Sequence, residues 1–261
     1  MLAQIRRNQL IHILKEEHKI IVKDAARLLQ VSEGTLRSDL KILEEDGLLV
    51  RTHGGAVPIK PSTESPFNER KLVNLPQKAA IGQAAVQLID NSYCVILDAS
   101  STSLEMARCL AATTNLTVIT NGLATAQMLA QNIQINVIVT GGVVRPASTE
   151  IEGLLGKAVL SQIHADIFFT SAHGLSIEHG LTEFSFQEAE LKKAMAANAT
   201  KVVALIDSSK LNRRSLATSV DFPKIHTLIT DSAADPAFLA SLRDRHIEVI
   251  VVQPITQAMR E

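Results

Sequence analysis

Surplus charge of either sign is almost absent from this chain: 26 lysines and arginines face 27 aspartates and glutamates, for a formal net charge of −1. Without a chain-wide basic field, a protein that coats nucleic acid non-specifically is disfavoured. Any nucleic-acid contact must come from local arrangement. Cysteine is scarce as well. Cys94 and Cys109 sit in apolar runs and are expected as buried free thiols, too few for a disulfide framework or a metal cluster. No apolar run approaches the roughly 18 residues that a membrane helix needs. The N-terminal stretch MLAQIRRNQLIHILKEEHK carries charges throughout, unlike the apolar centre of a secretion signal. These absences predict a cytoplasmic protein with no membrane partner. What remains is 261 residues, 46% of them hydrophobic, enough for one or two globular domains with a sizeable core.

The most informative stretch is Val31–Ala56, VSEGTLRSDLKILEEDGLLVRTHGGA. Ser32 reads as a helix N-cap and Glu33 as a negative charge at the positive end of the helix dipole. Leu36, Leu40 and Leu43 form one apolar stripe, while Arg37, Ser38 and Lys41 fall together on another face. Gly47 is placed to end the helix. Leu48–Arg51 and Ala56–Val57 then read as two short strands joined at Thr52–Gly55. Upstream, Ile5–Glu17 forms an amphipathic helix with Ile5, Leu10, Ile13 and Leu14 on one side. Ile20–Val22 is extended, and Lys23–Gln30 is a second helix. Three helices and a hairpin fit a winged helix-turn-helix whose last helix enters the major groove; the alternative is an ordinary surface helix before a hairpin.

Arg6, Leu10 and Leu14, then Ser32-x-x-Thr35-Leu36-Arg37-x-Asp39-Leu40 and Arg51-x-His53-Gly54-Gly55-Ala56, resemble the N-terminal signature of DeoR-type bacterial transcriptional regulators. Ser38 departs from the second basic or amide residue common in that family, which bears on the operator sequence. The resemblance implies Thr35, Arg37, Ser38, Lys41, Arg51 and His53 as DNA-binding residues. Arg37 either reads guanine edges or clamps a phosphate. Thr35 and Ser38 suit phosphates or base edges, and Lys41 suits backbone. His53 contacts DNA or hydrogen-bonds within its turn. Asp39 reads as structural, holding a basic neighbour.

Pro58, Pro61, Pro66 and Pro76 mark an interdomain linker over residues 58–76, with Phe67 and Arg70 anchoring its second half. The expected organisation is therefore a winged domain over 1–57, the linker, and a second domain over 77–261. In that domain Tyr93–Asp98, Leu116–Thr120, Ile135–Thr140, Asp166–Thr170, Lys201–Asp207, Thr227–Asp231 and Ile247–Val252 are short β-rich runs. Helical stretches near Lys78–Ile89, Ser103–Ala111, Leu123–Gln131, Ser185–Ala199 and Pro236–Arg245 alternate with them. Continuous apolar strands need helices on both faces, which predicts an α/β fold with a doubly wound parallel sheet. Ligands bind such sheets outside the carboxyl ends of the strands.

Those ends carry small polar residues: Asp98-Ala99-Ser100-Ser101-Thr102, Asn121-Gly122, Gly141-Gly142 and Asp207-Ser208-Ser209-Lys210. Hydroxyls, first-turn amides and a lysine suit a phosphate, and Asp98, Asn121 and Asp207 suit sugar hydroxyls. The same segments, with Lys78-Ala79-Ala80-Ile81, Ala172-His173-Gly174-Leu175 and Glu188-Ala189-Glu190-Leu191-Lys192, resemble the DeoR-type sensor domain, itself similar in fold to ribose-5-phosphate isomerase. The resemblance implies a phosphorylated sugar effector, with Lys78, Ser100, Ser101, Thr102 and Lys210 near the phosphate and Asp98, Asn121, Gly141, Gly142 and Asp207 completing the site. Glu183, Glu188 and Glu190 lie close enough in sequence to contact it.

A sugar-phosphate isomerase or deaminase is the rival reading. The related isomerases carry an acidic cluster after the fourth strand, where this chain has Ser171-Ala172-His173-Gly174. His164, His173 and His179 match no metal-ligand spacing. The reading is thus a non-enzymatic repressor of a carbohydrate-utilisation operon, without metal or cofactor, working as a homodimer or homotetramer on operator DNA.

Overall fold

The computed structural model describes residues 3–17, 19–45, 49–52, 54–58, 67–89, 94–110, 113–145, 148–153 and 155–255. The chain divides into two compact units, Met1–Glu64 and Ser65–Glu261; the division falls inside the expected linker. Gly47, Leu48, His53, Tyr93, Ala111, the linker stretch 59–66 and the side chain of Ile5 lie outside the described residues.

The first unit runs α1 (Ala3–Glu17), β1 (Ile20–Ile21), α2 (Val22–Leu28), α3 (Glu33–Glu45), β2 (Leu49–Thr52) and β3 (Gly55–Pro58). Its apolar stripes converge as expected: Leu10, Leu14, Leu36, Leu40 and Leu43 pack with Ile20, Val22 and Leu49. The three strands form one antiparallel sheet in the order β1-β3-β2. Gly55 makes this sheet possible, since a Cβ there would sit 1.7 Å from the Ile20 carbonyl oxygen. Asp39 is buried and ion-paired with Arg6, whose guanidinium also donates to it at 3.2 Å. The carboxylate on α3 therefore ties that helix to α1.

The second unit begins with α4 (Phe67–Arg70) and α5 (Leu75–Val86), so the expected linker is helical in its second half. Then come β4 (Cys94–Leu97), α6 (Ser101–Leu110), β5 (Leu116–Thr120), α7 (Leu123–Leu129), β6 (Ile135–Val139), β7 (Val143–Val144), β8 (Ile151–Glu152) and α8 (Leu155–Leu160). The remainder is β9 (Ala165–Thr170), β10 (Gly174–Ser176), β11 (Gly180–Glu183), α9 (Phe186–Ala197), β12 (Ala199–Leu205), β13 (Ala217–Val220), β14 (Thr227–Asp231), α10 (Pro236–Arg243) and β15 (Glu248–Val252). Seven strands build a parallel sheet in the order β15-β14-β12-β9-β4-β5-β6. In register, Val95 lies opposite Val118 on one side and Ile167 on the other.

Alternate strand residues enter two cores, one on each face. Val95, Leu97, Phe169 and Leu205 meet Ile81, Ala85, Met106 and Leu110 from α5 and α6. Ile96, Phe168, Val202 and Ala204 meet Leu160, Leu191, Met195 and Leu242 from α8, α9 and α10. Burial on both faces explains why these strands read as unbroken apolar runs. The cysteine expectation needs correction: Cys94 is half-buried and Cys109 is exposed. Cys109 lies on the outer face of α6, whose inner face buries Leu104, Met106, Ala107 and Leu110. No described helix is long and apolar enough to cross a membrane.

The order of the strands reverses once. The chain winds outward from β4 through β5 to β6, then restarts at β9 and winds the other way to β15. Loops leaving β4 and β9 therefore part in opposite directions, which makes the carboxyl ends of these two neighbours the switch point of the sheet.

Candidate functional site

Two surfaces carry the residues singled out from the sequence. On the first unit, the Ser32 hydroxyl accepts the Thr35 amide at 3.1 Å, the capping bond expected of it. The Thr35 hydroxyl lies 2.9 Å from the same oxygen. Arg37, Ser38 and Lys41 are all exposed. Arg37 rests against Glu33 at 3.3 Å, with both side chains about half exposed, a surface pair that costs little to break. Ser38 donates to the Gly34 carbonyl at 3.1 Å. Arg51, on β2, is exposed and held by Glu44 through its backbone amide at 2.9 Å and its side chain at 2.8 Å. The third helix thus presents a basic and hydroxyl-bearing face next to an arginine-bearing hairpin.

On the second unit, the carboxyl rim of the sheet is organised by Asp98, fully buried beyond the end of β4. One oxygen accepts from the Ser100 amide at 3.1 Å and the Ser103 hydroxyl at 2.6 Å. The other accepts from Thr170 at 2.8 Å and the Ser171 amide at 2.9 Å, and lies 3.0 Å from the Lys192 ammonium. Burial alone would raise its pKa; Lys192 and these donors bring it down to about 2. This corrects the expectation that Asp98 meets a sugar hydroxyl, because its acceptors are filled from within the chain. Its role is to hold the turn that starts α6, where the Ser100 hydroxyl caps the helix by accepting the Ser103 amide at 3.1 Å. Ser101 and Thr102 open α6, in the turn whose amides have no partner inside the helix.

Lys192 is the residue that sequence reasoning missed. Buried on α9, it reaches Glu183 at 2.7 Å, Glu188 at 2.8 Å and Asp98 at 3.0 Å, and donates to the Ser171 carbonyl at 3.0 Å. Burial works against its charge, but three carboxylates outweigh that and raise its pKa well above the usual value. His173, Glu183 and Glu188 bring ligand atoms within 4.8 Å of one another. The cation this set holds is the Lys192 ammonium, within hydrogen-bond reach of both glutamates. Glu190 points to other partners, Lys157 and Lys193, each at 2.9 Å.

A second cluster on the same rim is cationic. Lys78, on α5, is 3% exposed and donates to the Arg70 carbonyl at 2.5 Å. Burial, with the Lys210 charge nearby, lowers its pKa to about 8 against the opposing pull of Asp207. Lys210 is lowered too, first by burial and also by Arg70 and Lys192, with Asp207 opposing. It lies 4.0 Å from Asp207 and 3.4 Å from the Ser171 hydroxyl. One Asp207 oxygen is committed to Asn74 at 3.0 Å and the Ser209 amide at 3.2 Å. Arg70, Lys78 and Lys210 therefore share one neighbourhood. Arg70 had read only as a linker anchor, and nothing in its local spacing shows that α4 brings it beside these lysines.

Ser171 joins the two clusters, bonding Asp98 through its amide and Lys210 through its hydroxyl. Along the same edge, the Thr102 and Thr140 hydroxyls and the Asn121 carbonyl oxygen are buried without a hydrogen-bond partner among the described residues. The Asn121 amide donates to the Ile151 carbonyl at 3.0 Å, which aims that oxygen. Gly141 and Gly142 are exposed, with φ of +75° and +138°. A Cβ on Gly142 would meet the Glu152 carbonyl oxygen at 2.4 Å, so this glycine is required by the turn into the β7–β8 ribbon.

Residues 6–62 match the DeoR-like helix-turn-helix domain, and residues 73–232 match the DeoR C terminal sensor domain. The HTH-type transcriptional regulator GolR of Listeria innocua is 41% identical over 249 residues, covering 95% of this chain and 98% of that one. The glycerol-3-phosphate regulon repressor of Escherichia coli K12 is 27% identical over 247 residues, covering 94% and 97%. Among solved structures, ribose 5-phosphate isomerase A of Methanocaldococcus jannaschii overlaps 53% of this chain and 55% of that one, with 21% identity and a TM-score of 0.39. With both of its units matched by the two parts of one family, this chain belongs to the DeoR family of DNA-binding transcriptional regulators.

Proposed function

We propose that the second unit binds a phosphorylated sugar at its carboxyl rim and that this binding controls how a homodimer or homotetramer of the cytoplasmic chain represses a carbohydrate-utilisation operon. One observation carries the reading: Lys78, buried with its ammonium on the Arg70 carbonyl, and Lys210, 4.0 Å from Asp207, are neighbouring lysines for which burial and the cations around them outweigh the carboxylates nearby, so that both are pushed below the usual lysine range. A phosphate dianion removes that mismatch. The first turn of α6, at Ser101 and Thr102, supplies further donors. The unpartnered oxygens of Thr102, Asn121 and Thr140 suit the hydroxyls of a sugar. The relative from Escherichia coli named for a glycerol-3-phosphate regulon points to the same effector chemistry. On DNA, Arg37 reads base edges or clamps phosphate, flanked by Thr35, Ser38 and Lys41, while Arg51 and His53 belong to the wing.

The rival reading, an isomerase or deaminase, needs a carboxylate free to move a proton between adjacent carbons. Here Asp98 and Glu183 both face the Lys192 ammonium and are held below the usual carboxylate range, which makes them weak bases. Ser101→Asp tests the seat by placing a negative charge at the start of α6. This variant should bind operator as the wild type does and ignore phosphorylated sugars; a normal effector titration would move the site elsewhere.

A further inference from the structure

Arg70 stands beside the anion seat described above, and the inference drawn here rests on that reading of the seat. In the structure its guanidinium is ion-paired with Glu150, whose side chain is 4% exposed. Arg145 also reaches Glu150, at 3.4 Å. Through its own carbonyl, Arg70 accepts the Lys78 ammonium at 2.5 Å. The same residue therefore touches a lysine of the seat with its backbone and a buried carboxylate with its side chain.

We propose that Glu150 is an internal stand-in for the effector's anion: it holds Arg70 while the seat is empty, and the effector's phosphate takes Arg70 from it. Arg145 makes the exchange feasible. When Arg70 leaves, Glu150 keeps a cationic partner, so no buried carboxylate is stranded. The phosphate makes the exchange favourable, since it offers a guanidinium two oxygens and up to about two negative charges where Glu150 offers one charge. Arg70 also gives Lys78 and Lys210 part of their unfavourable surroundings, and one shared dianion relieves all three cations.

The consequence reaches two segments. Arg70 ends α4, the first described element after the connector from the winged unit, and α4 is pinned by the buried Phe67. Glu150 bridges to Gly122, and the next residue, Ile151, donates its amide to Asn121 at 2.8 Å. Effector binding thus moves the tether of α4 from the Glu150 segment to the anion seat. The entry of the chain into this unit then registers whether the seat is filled.

The test is calorimetric titration of the full chain with inorganic phosphate, comparing wild type, Glu150→Gln, Arg70→Gln and the double variant. Glu150→Gln should tighten phosphate binding at least threefold, and the same change in the Arg70→Gln background should have no effect. Unchanged or weaker binding by Glu150→Gln, with wild type binding and Lys78→Met binding at least tenfold more weakly, would overturn the exchange and leave the seat standing. Absence of saturable phosphate binding by wild type would overturn both. Should Glu150→Gln melt too low to titrate, the NMR signal of the Arg70 Nε–H in wild type decides. It should shift on saturation with phosphate, and a fixed signal refutes the exchange.

Discussion

The pH dependence of effector affinity follows directly from Lys78. Burial, with Lys210 beside it, has brought this lysine from the ordinary value of 10.5 to about 8. That difference corresponds to roughly 3 kcal/mol against the charged form. A bound phosphate favours the charged form, so binding requires Lys78 protonated. Below pH 8 it already is. Above pH 8 a proton must first be taken up, and affinity falls by up to about tenfold per pH unit. The ligand does not confuse the measurement, because the second ionisation of a phosphate monoester, near pH 6, is nearly complete at pH 7. Binding at pH 9 should therefore be about tenfold weaker than at pH 7. Folding stability without added effector moves oppositely. The folded state binds fewer protons than the unfolded chain between about pH 8 and 10.5, so the contribution of Lys78 to stability rises with pH across that window. Isothermal titration at pH 7, 8 and 9 measures the affinities. Lys78→Met should bind at least tenfold more weakly at pH 7 and lose the part of the pH dependence that Lys78 supplies. Wild-type affinity constant from pH 7 to 9, or a variant indistinguishable from wild type, would refute the reasoning.

Three further outcomes are expected. Lys192→Met strands Asp98, Glu183 and Glu188 around an apolar side chain, which should cost about 3–5 kcal/mol at pH 7 in denaturant melts. Wild-type Asp98, with a pKa lowered to about 2, contributes stability above its unfolded value and loses it as pH falls through about 2. Without Lys192 the carboxylates protonate earlier, so the deficit of the variant should shrink below pH 5. Ser32→Ala removes the cap on the Thr35 amide and should cost about 1 kcal/mol in the melting of the first unit. Arg37→Ala should flatten the preference for operator over random DNA by about 1–3 kcal/mol if the side chain reads a base edge; a preserved ratio with uniformly weaker binding assigns it to phosphate.

The parallel sheet was legible because strands buried on both faces announce themselves as unbroken apolar runs. All seven runs from Tyr93–Asp98 to Ile247–Val252 correspond to strands of that sheet. The antiparallel sheet β10-β11-β13 was not foreseen: Gly174–Ser176 and Gly180–Glu183 are short and glycine-bearing, with too few apolar residues for a period to show. The β7–β8 ribbon is only two residues wide on each strand and gives no pattern at all. At the site, the polar ends of β4, β5, β6 and β12 could be read from spacing, since each follows its strand directly. Lys192 could not. Four residues after Glu188 and beside Lys193, it looks like part of a solvated helix face. Only the fold reveals that α9 turns Lys192 inward to Asp98 and leaves Lys193 outside. Asp98 was misjudged for the same reason: Ser100 and Ser103 fill one of its oxygens locally, but the groups on the other, Thr170, Ser171 and Lys192, come from roughly seventy or more residues away.

The measurement that bears most directly on the central claim is the fraction of operator DNA bound by the full chain while a panel of sugar phosphates is titrated in, with wild type and Lys78→Met side by side. At least one phosphorylated sugar should change DNA binding by wild type, its unphosphorylated parent should not, and the variant should bind DNA without responding to either. A variant that responds like wild type, or an unphosphorylated sugar that works equally well, would contradict an effector seat built around Lys78 and Lys210.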